Sequence, residues 1–202
     1  MVLTPRALLR AFLPVLLAVT TAAPAAAREA IEHSSIHAEP IAASVKRIHR
    51  ETGTVYEIQT SGFVQATPQQ VWKVLTDYDR MHEFVPNLKL SRLLSRNGAE
   101  AVVEERGSLG FLFMTQDVRL VVKVMETPFS ALDITLVEGD MKQYSSHWEI
   151  APATQNGASG TRIAYSGSMM PSFFVPPFFG TVLIRRDVKN MVDAVIAEIG
   201  KS

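Results

Sequence analysis

The sequence predicts an α+β fold in which one curved antiparallel sheet wraps around a long C-terminal helix. From residue 88 to residue 169 apolar and polar side chains alternate with a period of two, and turn residues break the run repeatedly. A single helix-start signal, Thr67-Pro68, stands ahead of that run. Behind it, Ile184, Val188, Met191, Val195 and Ile199 step at helical spacing and form one apolar stripe.

The chain has 202 residues, with 20 Lys+Arg against 20 Asp+Glu and no cysteine. That length is enough for one domain to bury a core without disulfide or metal staples. A balanced charge argues against a general nucleic-acid binder, which needs a basic face to displace phosphate counterions, so no nucleic-acid partner is expected. The absence of cysteine removes disulfide scaffolds, thiolate zinc sites and thiol nucleophiles. Residues 1–27 carry Arg6 and Arg10 but no acid, then a short apolar run interrupted by Pro14, then Ala25-Ala26-Ala27. This is the pattern of a secretory signal peptide cut near Ala27, and it predicts a periplasmic or secreted protein.

The elements follow in order. Residues 28–44 are polar, contain Pro40 and keep no period, so they read as a tail ahead of a domain spanning 45–202. His33 and His37 would share a face if helical, but two histidines without a third ligand do not make a metal site, and none is assigned. Strands are predicted at 45–50 and 55–66, joined by a turn at Glu51-Thr52-Gly53-Thr54. Thr67 is an N-cap, Pro68 fits the first helical position, and Gln70 completes a capping box. Val71, Val74, Leu75 and Tyr78 then share a helix face, and a second short turn runs over 80–84 towards Pro86.

Six further strands are predicted at 88–95, 100–108, 112–125, 130–138, 142–151 and 160–169. The separating turns are Asn97-Gly98, Leu109-Gly110, Thr127-Pro128, Gly139-Asp140 and Gln155-Asn156-Gly157. The clearest alternation places Met114, Gln116, Val118, Leu120, Val122 and Val124 on the buried face, with Thr115, Asp117, Arg119 and Lys123 opposite.

Pro68, Val71-Trp72, Leu75, Asp77-Tyr78 and Phe84-Val85-Pro86, with Trp148-Glu149-Ile150-Ala151-Pro152 and Gly160-Thr161-Arg162-Ile163 later, resemble START-like proteins. The likeness is to the polyketide cyclase/dehydrase group, which includes coenzyme Q-binding proteins, and it spans roughly residues 45–200. It implies a helix-grip fold with a deep cavity between sheet and C-terminal helix. It further implies a ligand drawn from lipids, isoprenoid quinones, sterols or polyketides. No catalytic motif common to the group exists to transfer, so no catalytic residue and no cofactor is assigned.

Under that resemblance, Met114, Gln116, Val118, Leu120, Ile134, Tyr144, Trp148 and Tyr165 are the expected cavity wall, joined by Phe173 and Phe178 from the loop before the last helix. The segment 169–180 holds four phenylalanines and no charge. It reads either as a lid making transient membrane contact through Phe173, Phe174, Phe178 and Phe179, or as a plug folded into the open end of the sheet. Glu104 and Arg106 share one strand face and Glu105 takes the other. The pair reads as a solvated ion pair, because buried charge is costly, although facing inward it would hold a polar head group. His147 is out of phase with Trp148 and reads as a surface residue. The expected function is carriage or sequestration of an apolar ligand. The alternatives are a cyclase/dehydratase-like enzyme, which needs ionisable groups such as Glu104, Glu105 or His147 in the cavity, and an interaction module without a ligand.

Overall fold

The computed structural model describes residues 42–111, 114–176 and 179–202. The signal-peptide, tail and His33/His37 readings fall in 1–41, outside those residues. The described chain runs β1 (Ala42–Arg50), β2 (Gly53–Val64), α1 (Pro68–Leu75), a single 3-10 turn (Tyr78–Arg80), α2 (Met81–Phe84), β3 (Leu88–Asn97), β4 (Glu100–Phe111), β5 (Met114–Thr127), β6 (Ala131–Gly139), β7 (Met141–Gln155), β8 (Ala158–Pro171) and α3 (Gly180–Ile199).

All eight strands join one antiparallel sheet in the order β1-β2-β8-β7-β6-β5-β4-β3. The helix-grip architecture expected from the sequence is the one observed. Strands β3 to β8 form a meander of hairpins. Among the described residues the chain crosses over once, where α1 and α2 carry it from β2 to the far edge of the sheet at β3. Register shifts at Leu88/Leu90, Leu93/Ser95, Val121/Val122 and Met141/Gln143 interrupt the ladders. An extra residue on one strand of a pair kinks and twists it, which suits a sheet that curls around a helix.

Local chemistry explains the boundaries. At α1 the Gln70 amide donates to Thr67 Oγ1 at 3.3 Å, and the Thr67 amide donates to Gln70 Oε1 at 2.9 Å, a complete capping box. Thr161 Oγ1 donates to the Ala66 carbonyl at 2.6 Å and ties β8 to the start of that helix. Asn156 and Gly157, both at positive φ, form the two-residue turn of the β7–β8 hairpin. Leu109-Gly110 is not a turn: both residues pair within the β4–β5 ladder, with Gln116 and Thr115, and the last pair is Phe111 with Met114. A glycine in a strand gives the same local signal as one in a turn, and the long-range pairing decides.

The core lies on the concave face. Val71, Val74 and Leu75 of α1 and Ile184, Val192, Val195, Ile196 and Ile199 of α3 are buried against Val103, Val122, Val124, Leu132 and Ile150. Helix α3 packs closely over β1 and β2 and against α1. This asymmetric seat leaves room over the strands further along the sheet.

The β6–β7 turn depends on one backbone position. Gly139 has φ +137°, and a Cβ there would lie 2.2 Å from the Arg119 carbonyl oxygen. That close approach also holds the Asp140 amide on the Arg119 carbonyl at 2.9 Å and Asp140 Oδ2 on the Arg119 amide at 2.8 Å. Gly139→Ala is expected to destabilise the domain by about 2 kcal/mol or more, because strain and collision add. Urea unfolding checks this. An unchanged midpoint would show that the turn relaxes freely.

Candidate functional site

A cavity of about 270 Å³ lies between α3 and the sheet, just below the usual size range of small-molecule pockets. Helix α3 gives it a floor of Ile184, Val188, Met191 and Val195, the stripe read from the sequence. Strand β5 contributes Val118, Leu120, Val122 and Val124, and β6 contributes Leu132 and Ile134. Tyr78, Met81 and 85–88 frame one side, where α1 and α2 reach the edge of the sheet. Among the described residues, Val118, Leu120, Ile134, Tyr144, Trp148 and Tyr165 of the expected wall line this space.

Others of that set do not. Gln116 is exposed near the end of the β4–β5 hairpin and donates its side-chain amide to the Asp117 carbonyl at 2.8 Å, so it is not the polar tip of the cavity. Its strand runs beyond the zone lined by α3, and correct phase alone does not place a side chain inside. Phe173 packs against the core beside the cavity rather than lining it. The side chain of Met114 and all of Phe178 lie outside the described residues. Phe174 (77% exposed) and Phe179 (49% exposed) face solvent. The loop therefore divides, with Phe173 and Val175 packed inward and Phe174 outward. Ser172 anchors it, its Oγ donating to the Asp140 carbonyl at 2.8 Å.

Two adjacent glutamates on β4 meet opposite environments. Glu104 faces outward, where Arg92 Nη2 donates to Oε2 at 2.7 Å, and Arg106 Nη2 and Arg119 Nε donate to Oε1 at 2.7 and 2.9 Å. Only 2% of it is exposed, yet its cover consists of guanidinium groups, not apolar mass. Hydrogen bonds from Arg119 and then Arg106 pull its pKa down to about 2. The ion pair expected between Glu104 and Arg106 is present, but Glu104 is not solvated: two further arginines from neighbouring strands complete its cover and compensate its burial. His147 also lies on the outer face, with Nδ1 2.7 Å from Asp133 Oδ1.

Glu105 lines the cavity. It makes no hydrogen bond or ion pair among the described residues, and burial pushes its pKa up. Three hydroxyl groups complete this polar end. Tyr144 Oη lies 3.4 Å from Ser146 Oγ, and the Tyr165 phenol is close enough to both residues for them to influence its titration. The ring of Tyr165 is 4.9 Å from that of Trp148. A Cβ at Gly167 would stand 3.0 Å from the Tyr165 hydroxyl, so a side chain there would crowd its position. Burial raises the pKa of both phenols, and the nearby Glu105 charge adds to that rise.

The strand alternation separates Glu105 from Glu104, but Glu105 is not among the expected wall residues. The available signal was its phase: Ala101 and Val103 share its strand face and both are fully buried. Tyr78, expected on the helix face with Val71, Val74 and Leu75, instead opens the 3-10 turn beyond the end of α1 and serves as a wall. Its hydroxyl donates to Glu126 Oε1 at 2.8 Å, and Arg96 stacks over its ring at 5.6 Å while bonding Glu126 Oε2 at 2.8 Å.

A family model described as polyketide cyclase / dehydrase and lipid transport matches residues 64–196. The chain belongs to this polyketide cyclase/dehydrase and lipid-transport family. Among solved structures, it is similar to a STAR-related lipid transfer protein from Xanthomonas axonopodis, at 16% identity and TM-score 0.62, covering 80% of this chain and 94% of that one. It is also similar to the Zhui aromatase/cyclase of a Streptomyces species, at 13% identity and TM-score 0.61, covering 73% and 94%. A START superfamily protein from Mycobacterium smegmatis aligns at 12% identity and TM-score 0.60, covering 72% and 97%. Comparison with curated protein sequences gives no match. At these identities the structural likenesses show the fold, while the family membership supports a hydrophobic ligand-binding role.

Within this family's sheet, the Glu104 cluster gives a pH signature. Its folded-state pKa lies below the ordinary 4.5, so its stabilising contribution is complete above 4.5 and is lost as pH falls from there towards about 2. Glu104→Gln is expected to lower the melting temperature at pH 7 and to flatten the acid limb between those values. Thermal scans across pH check both effects, and an unaltered acid limb would place the sensitivity elsewhere.

Proposed function

We propose that the protein is an exported carrier that holds a lipid, isoprenoid quinone or similar apolar molecule in the sheet–helix cavity without turning it over. The observation that carries this reading is the cavity itself, whose walls along α3, β5 and β6 are aliphatic apart from Asp187, with few polar groups among the remaining lining residues. Burying a chain there contributes about 0.8 kcal/mol per methylene, enough for tight binding without a dedicated polar motif. The test is extraction mass spectrometry on protein purified from its native compartment. A stoichiometric apolar molecule is expected. A folded sample that carries none and takes up none from lipid vesicles would overturn the carrier reading.

Loading requires access, and we place it beside the Phe174/Phe179 patch, which Val182 extends as a third exposed apolar side chain. Among the described residues no helix is long and apolar enough to cross a membrane, so this contact would be peripheral. The double variant Phe174→Ser/Phe179→Ser is expected to weaken sedimentation with liposomes several-fold while shifting the melting temperature little, since both rings are exposed. Phe173→Ser, at a ring packed on the core, is expected to cost about 1–3 kcal/mol of stability. Unchanged liposome binding by the double variant would remove the membrane-contact proposal.

One observation favours an enzyme as the second reading. Glu105 is a carboxyl of raised pKa inside a cavity, the kind of group that serves as a general acid. Against that, it lacks a paired acid or base: the other carboxylate lining the cavity, Asp187, is ion-paired with Arg186 at 3.2 Å, and Glu104 and His147 point away. Turnover of a bound polyketide or similar substrate that disappears in Glu105→Gln would favour catalysis over carriage.

A further inference from the structure

We propose that Glu105 is an uncharged hydrogen-bond donor that selects, within the apolar-ligand class, molecules ending in a neutral carbonyl oxygen such as a ketone, quinone or ester. The inference rests on the carrier reading and names what that carrier recognises.

Three observations converge on this end of the cavity. Glu105 lines the space with no hydrogen bond or ion pair among the described residues. Ser91 stands directly across the β3–β4 ladder from it, buried, with a hydroxyl that has no partner among the described residues. Beyond them lie the hydroxyls of Tyr144 and Tyr165, close enough for their titration to be coupled to that of Glu105. A buried polar group without a partner costs roughly 1–3 kcal/mol, and an isolated carboxylate costs far more. The Glu105 carboxyl, partly accessible from the cavity and without a side-chain partner among the described residues, marks a place where a ligand supplies the missing bond, with the buried Ser91 hydroxyl behind it on the adjacent strand.

The protonation state decides which ligand. The titratable groups lining the same cavity are Tyr78 on the 3-10 turn, Tyr144 on β7, Tyr165 on β8 and Asp187 on α3. None of them is a cation, so nothing there stabilises ionised Glu105, and burial pushes its pKa above the ordinary carboxylate value. A protonated carboxyl donates to a carbonyl oxygen. An anionic head group would face Asp187 and the two phenols with no counter-charge. The apolar tail then runs along Val188, Met191 and Val195.

The test measures displacement of N-phenyl-1-naphthylamine from the full protein by dodecane, 2-dodecanone and dodecylamine. Glu105→Leu is expected to weaken 2-dodecanone on the order of tenfold, the value of a buried hydrogen bond of this kind, while leaving dodecane unchanged. Glu105→Gln, which keeps an N–H donor, is expected to retain most of the ketone affinity. Ketone binding indifferent to Glu105→Leu overturns the inference. So does a wild-type preference for the amine that strengthens as pH rises, since that would show an ionised carboxylate. If wild type binds neither dodecane nor the ketone, the carrier reading falls too, which separates the two failures.

Stability gives an independent readout. With a folded pKa above the ordinary 4.5, Glu105 carries no ionisation penalty below 4.5, and the domain loses stability as pH rises from there through the folded value. Glu105→Leu is expected to remove that decline and to raise the melting temperature at pH 8. A lowered melting temperature at all pH values would show that the carboxyl has a structural partner, and would overturn the proposal.

Discussion

The pleat of a β-strand sends alternate side chains to opposite faces, and in this sheet the two faces meet media of opposite polarity. One face closes over α3, and the other looks into water and a lattice of ion pairs. Strand β4 shows how much rests on this. Glu104 and Glu105 share the same chemistry and almost the same position, yet one meets three arginines and the other an apolar cavity. A slip of one residue in the β4–β5 register would exchange them if β5 held its place, or turn Val118, Leu120 and Val122 outward if β4 held its own. Cavity wall, outer charge cluster and polar end are thus consequences of a single register.

The cavity exists because α3 sits to one side. It packs on β1, β2 and α1 near one edge of the sheet, while the bend carries β4 to β7 around it. Unfilled apolar space costs about 24 cal/mol per Å³, so leaving this one dry would forfeit several kcal/mol out of the roughly 5–15 that hold a domain together. An apolar occupant offsets that loss. A core built only for stability would fill the space with larger side chains, yet this wall is made largely of Val, Leu and Ile at positions where Phe or Met also suits a strand.

Most of the fold was legible because its signals are local. The capping box at Thr67 and Gln70, the Asn156-Gly157 turn and the α3 stripe each specify geometry within a few residues. The strands emerged within a few residues of their observed ends for the same reason. What was illegible depends on partners distant in sequence. Leu109-Gly110 resembles a turn until pairing with Thr115 and Gln116 extends the hairpin past it. Gln116 has the phase of the wall but lies near the hairpin end, and only the reach of α3 decides that. Glu105 was hardest, because charge argues for the surface and only the burial of Ala101 and Val103 on the same face argues otherwise.

That last conflict bears on what the site is for. A strand that contradicts its own pattern by carrying a carboxyl inward does so at a cost in stability, and such costs concentrate where function needs them. Methylene burial grows with chain length and distinguishes poorly among lipids of similar size, so the aliphatic wall supplies affinity without selection. A buried donor discriminates far more sharply, since any ligand that fails to engage it leaves it unpaired at full cost. Under the carrier reading the sheet would set the division of labour: β5, β6 and α3 would hold an apolar tail, while β4, β7 and β8 would read the head. A carrier needs no more than this. An enzyme would need a second group placed to move a proton or hold a developing charge; among the described residues Asp187 is ion-paired and Glu104 and His147 lie on the far side of the pleat, which leaves the Tyr144 and Tyr165 hydroxyls beside Glu105.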